Sequence, residues 1–223
     1  MLRARSPIPD VGPLAIFPLS GVVLMPYGQL PLNVFEPRYI HMIDDVLGGS
    51  RLIGLVQPRT VTSELVPDDA PLFEIGSVGR IVSFQDPGDG RYQIILEGQT
   101  RFRIQSELLI DASRGYRQVI ADTAPFTHDR ELGQEDDGPG RARILELLQN
   151  YFDVKGIEAD WSSVSDAPFE ALVSSLVMNC PFEASEKQAL LECENHAVLA
   201  QMLISLFEMN VEGNIAPSGA IKH

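Results

Sequence analysis

The sequence predicts an α+β fold, an antiparallel β-barrel carrying one helix and then a helical region built around one long helix. Three observations lead there. Short segments rich in β-branched and aromatic residues fill the first 123 positions, each bounded by Pro, Gly or Asp. From about residue 126 the apolar period changes from strand-like to helical. The charge balance shifts as well: residues 1–120 hold 11 basic and 13 acidic side chains, whereas residues 121–223 hold 6 and 18. The expected organisation is therefore a sheet subdomain over 1–125 and a helical subdomain over 126–223.

Taken in order, the expected strands are 14–19 (LAIFPL), 22–25 (VVLM), 30–35 (LPLNVF), 52–57 (LIGLVQ), 75–84 (IGSVGRIVSF), 92–97 (YQIILE), 100–106 (TRFRIQS) and 116–123 (YRQVIADT). In RFRIQS, Phe102 and Ile104 alternate with Arg101, Arg103 and Gln105, which gives one buried and one wet face. QDPGDGRY (85–92) reads as a hairpin turn. Many short strands with little helix between them point to a closed or nearly closed barrel. The one helix in this half is EPRYIHMIDDVLGG (36–49). Pro37 stands in its first turn, Gly48 at its end, and Ile40, Ile43 and Val46/Leu47 form its apolar stripe.

The helical half opens on a polar, acidic linker at 127–141. RILELLQNYF (143–152) places Ile144, Leu147, Leu148 and Tyr151 on one helical face. A helix over 166–180 takes Asp166 as N-cap and Pro168 in its first turn. A long helix over 185–213 begins at Ser185 and Gln188, the spacing of a capping box, and residues 214–223 form a frayed tail.

Composition excludes several functions. A net charge of −14 lacks the clustered Lys and Arg that phosphate backbones and anionic membranes require. Pro7, Pro9 and Asp10 interrupt the N-terminus, which argues against a signal peptide. The apolar run AVLAQMLISLF (197–207) is too short to span a bilayer. Cys180 and Cys193, the two cysteines, fit reduced thiols and a cytoplasmic protein. None of the three lysines follows a glycine, so no nucleotide-hydrolysing phosphate loop exists. No G-x-S-x-G elbow is present, and APSGA (216–220) lies in the tail. Cys193 and His196 are two ligands short of a metal site. No catalytic, cofactor-binding or metal-ligating set emerges.

The residues do carry a resemblance. IFPLSGVVLMPYGQLPLNVFEPRYIHMI (16–43), GSVGRIVSFQDPGDGRYQIILEGQTRFRI (76–104) and PFEALVSSLVMNCPFEASEKQALLE (168–192) resemble, in the right order, three signatures of the Lon N-terminal domain, the substrate-binding module of the ATP-dependent protease Lon. The resemblance implies a barrel of the PUA-like type followed by a helical bundle. The ATPase and Ser-Lys peptidase that follow this domain in full-length Lon have no motif here, so the resemblance is to Lon-domain-only proteins. Where the family pattern has FPG, this chain has Met25-Pro26-Tyr27-Gly28.

The function this implies is a non-enzymatic protein- or peptide-binding module for unfolded or tagged polypeptide, associated with a protease system. Apolar surface at Met25, Tyr27 and Leu30, the clasp residue Arg38 with Tyr39, and exposed strand edges are the candidate binding elements. A PUA-like RNA or nucleotide binder using Arg80, Arg101 and Arg103 is the alternative, and a small ligand in a barrel-mouth pocket is a third. Arg38 is expected to reach back to a carboxylate or carbonyl on the barrel.

Overall fold

The computed structural model describes residues 12–60, 65–111, 113–130, 139–156, 161, 164 and 167–215. The described residues divide into two compact units, one within Met1–Leu132 plus Ser174–Glu192, the other within Gly133–Val173 plus Cys193–His223.

The first unit is built on six strands: β1 Leu14–Pro18, β2 Gln29–Val34, β3 Leu52–Val56, β4 Ile75–Gln85, β5 Tyr92–Glu107 and β6 Gln118–Asp122. Helix α1, Pro37–Leu47, joins β2 to β3, and a 3-10 helix covers Ala124–Arg130. The strand order is β2-β5-β4-β3-β1-β6, and β6 also pairs with β5. That last pairing closes β5, β4, β3, β1 and β6 into a ring and leaves β2 as a flap on β5.

The ring is not wholly antiparallel. β1 and β3 run parallel, with Ile16 opposite Gly54 and Pro18 opposite Val56, because β2 and α1 intervene and return the chain in the same direction. Both strands are buried along their whole length, as parallel strands covered on two faces are. Leu14, Ile16, Leu52 and Val56 join Val78, Phe102 and Val119 from the other ring strands in the ring interior. Ala15, Phe17, Ile53 and Leu55 point the other way, onto Tyr39, Met42 and Ile43 of α1.

Two expected strands, 92–97 and 100–106, form the single 16-residue β5. Its first half pairs with β2 and β4, its second with β4 and β6. To do so it bends where Gly98 faces Gly79, and a register shift falls between Val78 and Gly79. The bend leaves no room for a side chain: a Cβ on Gly98 would lie 2.0 Å from the Met25 carbonyl oxygen, and one on Gly79 would lie 2.8 Å from Leu24 Cδ2. The expected strand at 22–25 is for this reason not a strand. Val23, Leu24 and Met25 are buried against the bend with no ladder partner. The expected hairpin at 85–92 forms, with Gly88 and Gly90 at φ 78° and 80°.

Gly48 ends α1 at φ −72°, an ordinary right-handed value, so no left-handed cap is formed there. Glu36 is the N-cap residue but makes no side-chain cap, for its carboxylate accepts from Arg38 instead.

Beyond the 3-10 helix come α2 Pro139–Lys155, α3 Phe169–Asn179, α4 Ala184–Leu191 and α5 His196–Ile215. Asp166, most of the expected linker and positions 216–223 lie outside the described residues. Ile144, Leu147, Leu148 and Tyr151 are all buried as their spacing requires, and Tyr151 meets Phe207 of α5 at 5.3 Å between ring centres.

The expected long helix is broken. Asn195 Oδ1 accepts the Val198 N–H at 3.0 Å and so starts a new helix, which splits 185–213 into α4 and α5. The capping box also differs from expectation. Glu183 and Glu186 form it, and Gln188 is buried instead, bonded to Gln57, to the Ile75 carbonyl and to Glu192. Together with the Ser174 hydroxyl, which donates to the Pro26 carbonyl at 3.0 Å, these bonds tie residues 174–192 to the sheet. The helical half expected from 126 onward thus contributes this stretch to the sheet unit.

Arg101 anchors the same assembly from inside. It is buried, its guanidinium bonds Asp129 at 2.7–3.1 Å and the Leu191 carbonyl at 2.9 Å, and its own backbone N–H donates to Asp129 at 2.8 Å. Asp129→Ala is expected to lower unfolding free energy in urea by about 3–5 kcal/mol, because it strands a buried cation, whereas the double variant Arg101→Met/Asp129→Leu recovers much of that loss. Gly98→Ala is expected to cost at least about 1–3 kcal/mol in the same measurement, since the clashing atom is backbone and cannot swing aside.

Candidate functional site

The LPLNVFEPRY corner decides what this unit presents to solvent. Along β2 the side chains of Leu30, Leu32 and Val34 turn toward the core. With a period of two, Phe35 must then face outward, and it is 55% exposed. Pro37 next starts α1 and places Tyr39 one turn in, where it packs on Phe17 at 4.2 Å between ring centres.

These residues line a cleft of about 280 Å³. Phe17 and Leu19 come from the end of β1, Leu32 and Phe35 from the end of β2, Tyr39 from α1, and Leu65 and Val66 from the segment after β3. Leu65 is 58% exposed. Two large apolar side chains thus stand in water over an apolar floor, a feature soluble surfaces limit unless they bind something.

Arg38 fixes the wall of this cleft. Its guanidinium donates to Glu36 at 2.7 and 2.9 Å, to the Val66 carbonyl at 2.8 Å and to Asp68, and it lies 4.6 Å over the Tyr39 ring. It reaches a carboxylate and a carbonyl, as the sequence led one to expect. Two further arginines hold the same segment by its carbonyls: Arg117 bonds Ala70 O at 2.7 Å and Arg59 bonds Leu72 O at 2.9 Å. Burial pushes the Tyr39 phenol up to about 12, so it stays neutral through the physiological range.

The other expected binding residues fall elsewhere. Met25 is buried at the β5 bend, so it presents no surface. Tyr39 is likewise buried, and reaches the cleft as floor rather than as an exposed phenol. Leu30 packs against the core cluster. Tyr27 is partly exposed and takes φ 66°, a left-handed backbone that glycine adopts without cost. That is the position where the family pattern has glycine. Arg101 is buried on Asp129 and cannot touch RNA, Arg80 donates to the Ser50 carbonyl, and Arg103 alone of the three stands exposed with no side-chain bond among the described residues. These three arginines therefore do not form one basic face. Phe35 and Leu65 were missed as site residues. The alternation in LPLNVF was enough to find Phe35, whereas nothing in the sequence places Leu65 beside it.

The rest of the described surface offers little chemistry. No group of three or more His, Cys, Asp or Glu side chains suited to a metal exists among the described residues, and the helix break separates Cys193 from the helix that begins at His196. No described helix is long and apolar enough to cross a membrane.

Comparison with known proteins fits this geometry to a family. A family model for the ATP-dependent protease La (LON) substrate-binding domain matches residues 13–208. The chain belongs to that family. The matched module is the substrate-binding domain of that protease, and the match covers most of this chain. Lon protease 2 of Sorangium cellulosum is 30% identical over 149 residues, which cover 65% of this chain and 18% of that protein. Lon protease 2 of Myxococcus xanthus is 36% identical over 100 residues, 45% of this chain and 12% of that protein. The chain therefore matches less than a fifth of these relatives' length. In structure it resembles a Lon N-terminal domain protein from Xanthomonas campestris, with a TM-score of 0.58, 22% identity and coverage of 86% of this chain and 98% of the other. It also resembles the N-terminal domain of Mycobacterium avium complex Lon protease, with a TM-score of 0.63, 14% identity and coverage of 88% and 98%. The shared fold is a mixed sheet with several helices.

Tyr39 gives a sign for alkaline stability. The unfolded chain ionises this phenol near pH 10, the folded chain near 12, so above pH 10 the folded state binds more protons and its stability falls. Thermal melts between pH 9 and 12 are expected to fall less steeply for Tyr39→Phe than for the unaltered chain.

Proposed function

We propose that this chain is a protein-recognition module that takes apolar segments of unfolded or tagged polypeptide into the Phe35–Leu65 cleft, as part of protein quality control in the cytoplasm. The observation that carries this is the pair of half-exposed apolar side chains over the buried Tyr39 and Phe17 rings. Family membership supports it, because the matched family is a substrate-binding domain. In this reading the closed ring of strands is a PUA-like barrel, the second unit is a helical bundle, and the partner is a protein substrate passed to an ATP-dependent protease.

Shape argues for a peptide over a small molecule. This cleft, at about 280 Å³, stands at the lower end of the roughly 300–1,000 Å³ of small-molecule sites and is open at the surface. Side chains are the better fit. Strand addition at the free edge of β2 is a weaker contributor. Gln29, Pro31 and Asn33 are exposed there, but Pro31 has no N–H, so a paired strand would lose a bond at its centre.

The test is fluorescence anisotropy with labelled, reduced and carboxymethylated casein. The unaltered chain is expected to bind, and Phe35→Ser/Leu65→Ser to weaken binding at least about tenfold. Burying one such side chain is worth about 1.5–3 kcal/mol, and 1.4 kcal/mol is a factor of ten. Circular dichroism should show the variant folded, since both side chains are exposed. No binding by the unaltered chain, or equal binding by the variant, would overturn the proposal.

A further inference from the structure

The charge around the cleft carries the reading further. Resting on the assignment of the cleft to peptide, we propose that it selects apolar residues flanked by lysine or arginine.

Glu36 lines the cleft itself. Two residues beyond the lining residue Val66, a turn closed by Ala70 N–H to Pro67 O at 3.2 Å carries Asp68 and Asp69, both exposed. Asp68 is tied to the cleft floor through Arg38, whose guanidinium stacks on Tyr39. Two carboxylates thus bond one guanidinium, and a third, Asp69, stands exposed beside Asp68 in the same turn.

Four bonds engage that guanidinium. Glu36, Asp68 and the Val66 carbonyl take its donors, and its face covers Tyr39. Arg59, on the same segment between β3 and β4 as Val66 and Asp68, donates to the Leu72 carbonyl, stands 3.9 Å from Glu74 and lies over the Phe73 ring. Among the described residues, an acidic residue entering beside the cleft meets Asp68 and Asp69, and the cations of this wall, Arg38 and Arg59, are already bonded to acceptors. A basic residue finds two exposed carboxylates, of which Asp69 makes no ion pair among the described residues. The apolar cleft supplies affinity and the rim supplies sign, because surface charges discriminate partners more than they hold them.

The experiment uses three fluorescein-labelled ten-residue peptides with one common Phe-Val-Leu core and Lys, Ser or Glu flanks. Each exposed pair changes affinity by up to about fivefold. At low salt the Lys-flanked peptide is therefore expected to bind about twofold to fivefold tighter than the Glu-flanked one. The difference should vanish in 1 M salt, where screening acts within about 3 Å. Asp68→Asn/Asp69→Asn should erase the difference at low salt. Glu170→Gln/Glu194→Gln, which removes the same charge from the second unit, should keep it. Equal binding of the Lys and Glu peptides at low salt overturns the proposal. So does a preference that survives the rim variant, or one that the Glu170/Glu194 variant also erases. If the Ser-flanked peptide fails to bind at all, the peptide-binding reading falls and takes this one with it.

Discussion

The sheet unit depends on one close approach. The Met25 carbonyl lies where a side chain on Gly98 would stand, and Gly79 faces Gly98 across the ladder. Without that paired absence of side chains β5 would run straight, and a straight β5 could not pair with β2 at one end and β6 at the other. Ring closure, the doubly buried β1 and β3, and the position of β2 as a flap all follow from the bend. So does the cleft, since β2 runs from the bend at Tyr27–Gly28 to Phe35 at the rim.

Around that frame the polar groups work as fasteners. Arg101 is the inner one and joins β5, the 3-10 helix and the end of α4. Arg38, Arg117 and Arg59 are the outer set, each holding a backbone carbonyl of the segment between β3 and β4. A segment with little regular structure must satisfy its carbonyls somehow, and here guanidinium groups do so. This use of arginine takes Arg38, Arg59, Arg101 and Arg117 out of any basic face on the sheet unit. Of the three cations that looked available for phosphate in the sequence, Arg101 and Arg80 are spent on a carboxylate and a carbonyl, and Arg103 stays exposed.

Much of this was legible before any coordinates. Alternation gave the strands, and Ile144, Leu147, Leu148 and Tyr151 gave the buried stripe of α2. The corner at Glu36–Pro37 gave α1 and the clasp. What escaped is what local pattern does not encode. Gly98 looked like a break between two strands because glycine ends strands more often than it bends them. Cys193 to His196 looked helical because the apolar positions on either side keep helical spacing, and only Asn195 signalled a new start. Met25 seemed exposed because Pro and Gly flank it, yet its burial is decided by β5, seventy residues away. Leu65 meets Phe35 through tertiary folding alone.

The sheet unit is discontinuous in sequence, since Ser174–Glu192 returns to complete it. A ribosome therefore delivers its parts out of order. When residue 130 has emerged all six strands exist, but the Pro26 carbonyl, Gln57 and Arg101 still await Ser174, Gln188 and Leu191, the last of them about sixty residues beyond that point. At roughly 5–20 residues per second that interval lasts about 3–12 s. During it Arg101 has Asp129 within the emerged chain, but the bonds to residues 174–192 cannot yet form. The cell must carry this chain through that gap, and a module proposed here to grip unfolded polypeptide is for those seconds partly unfolded polypeptide itself.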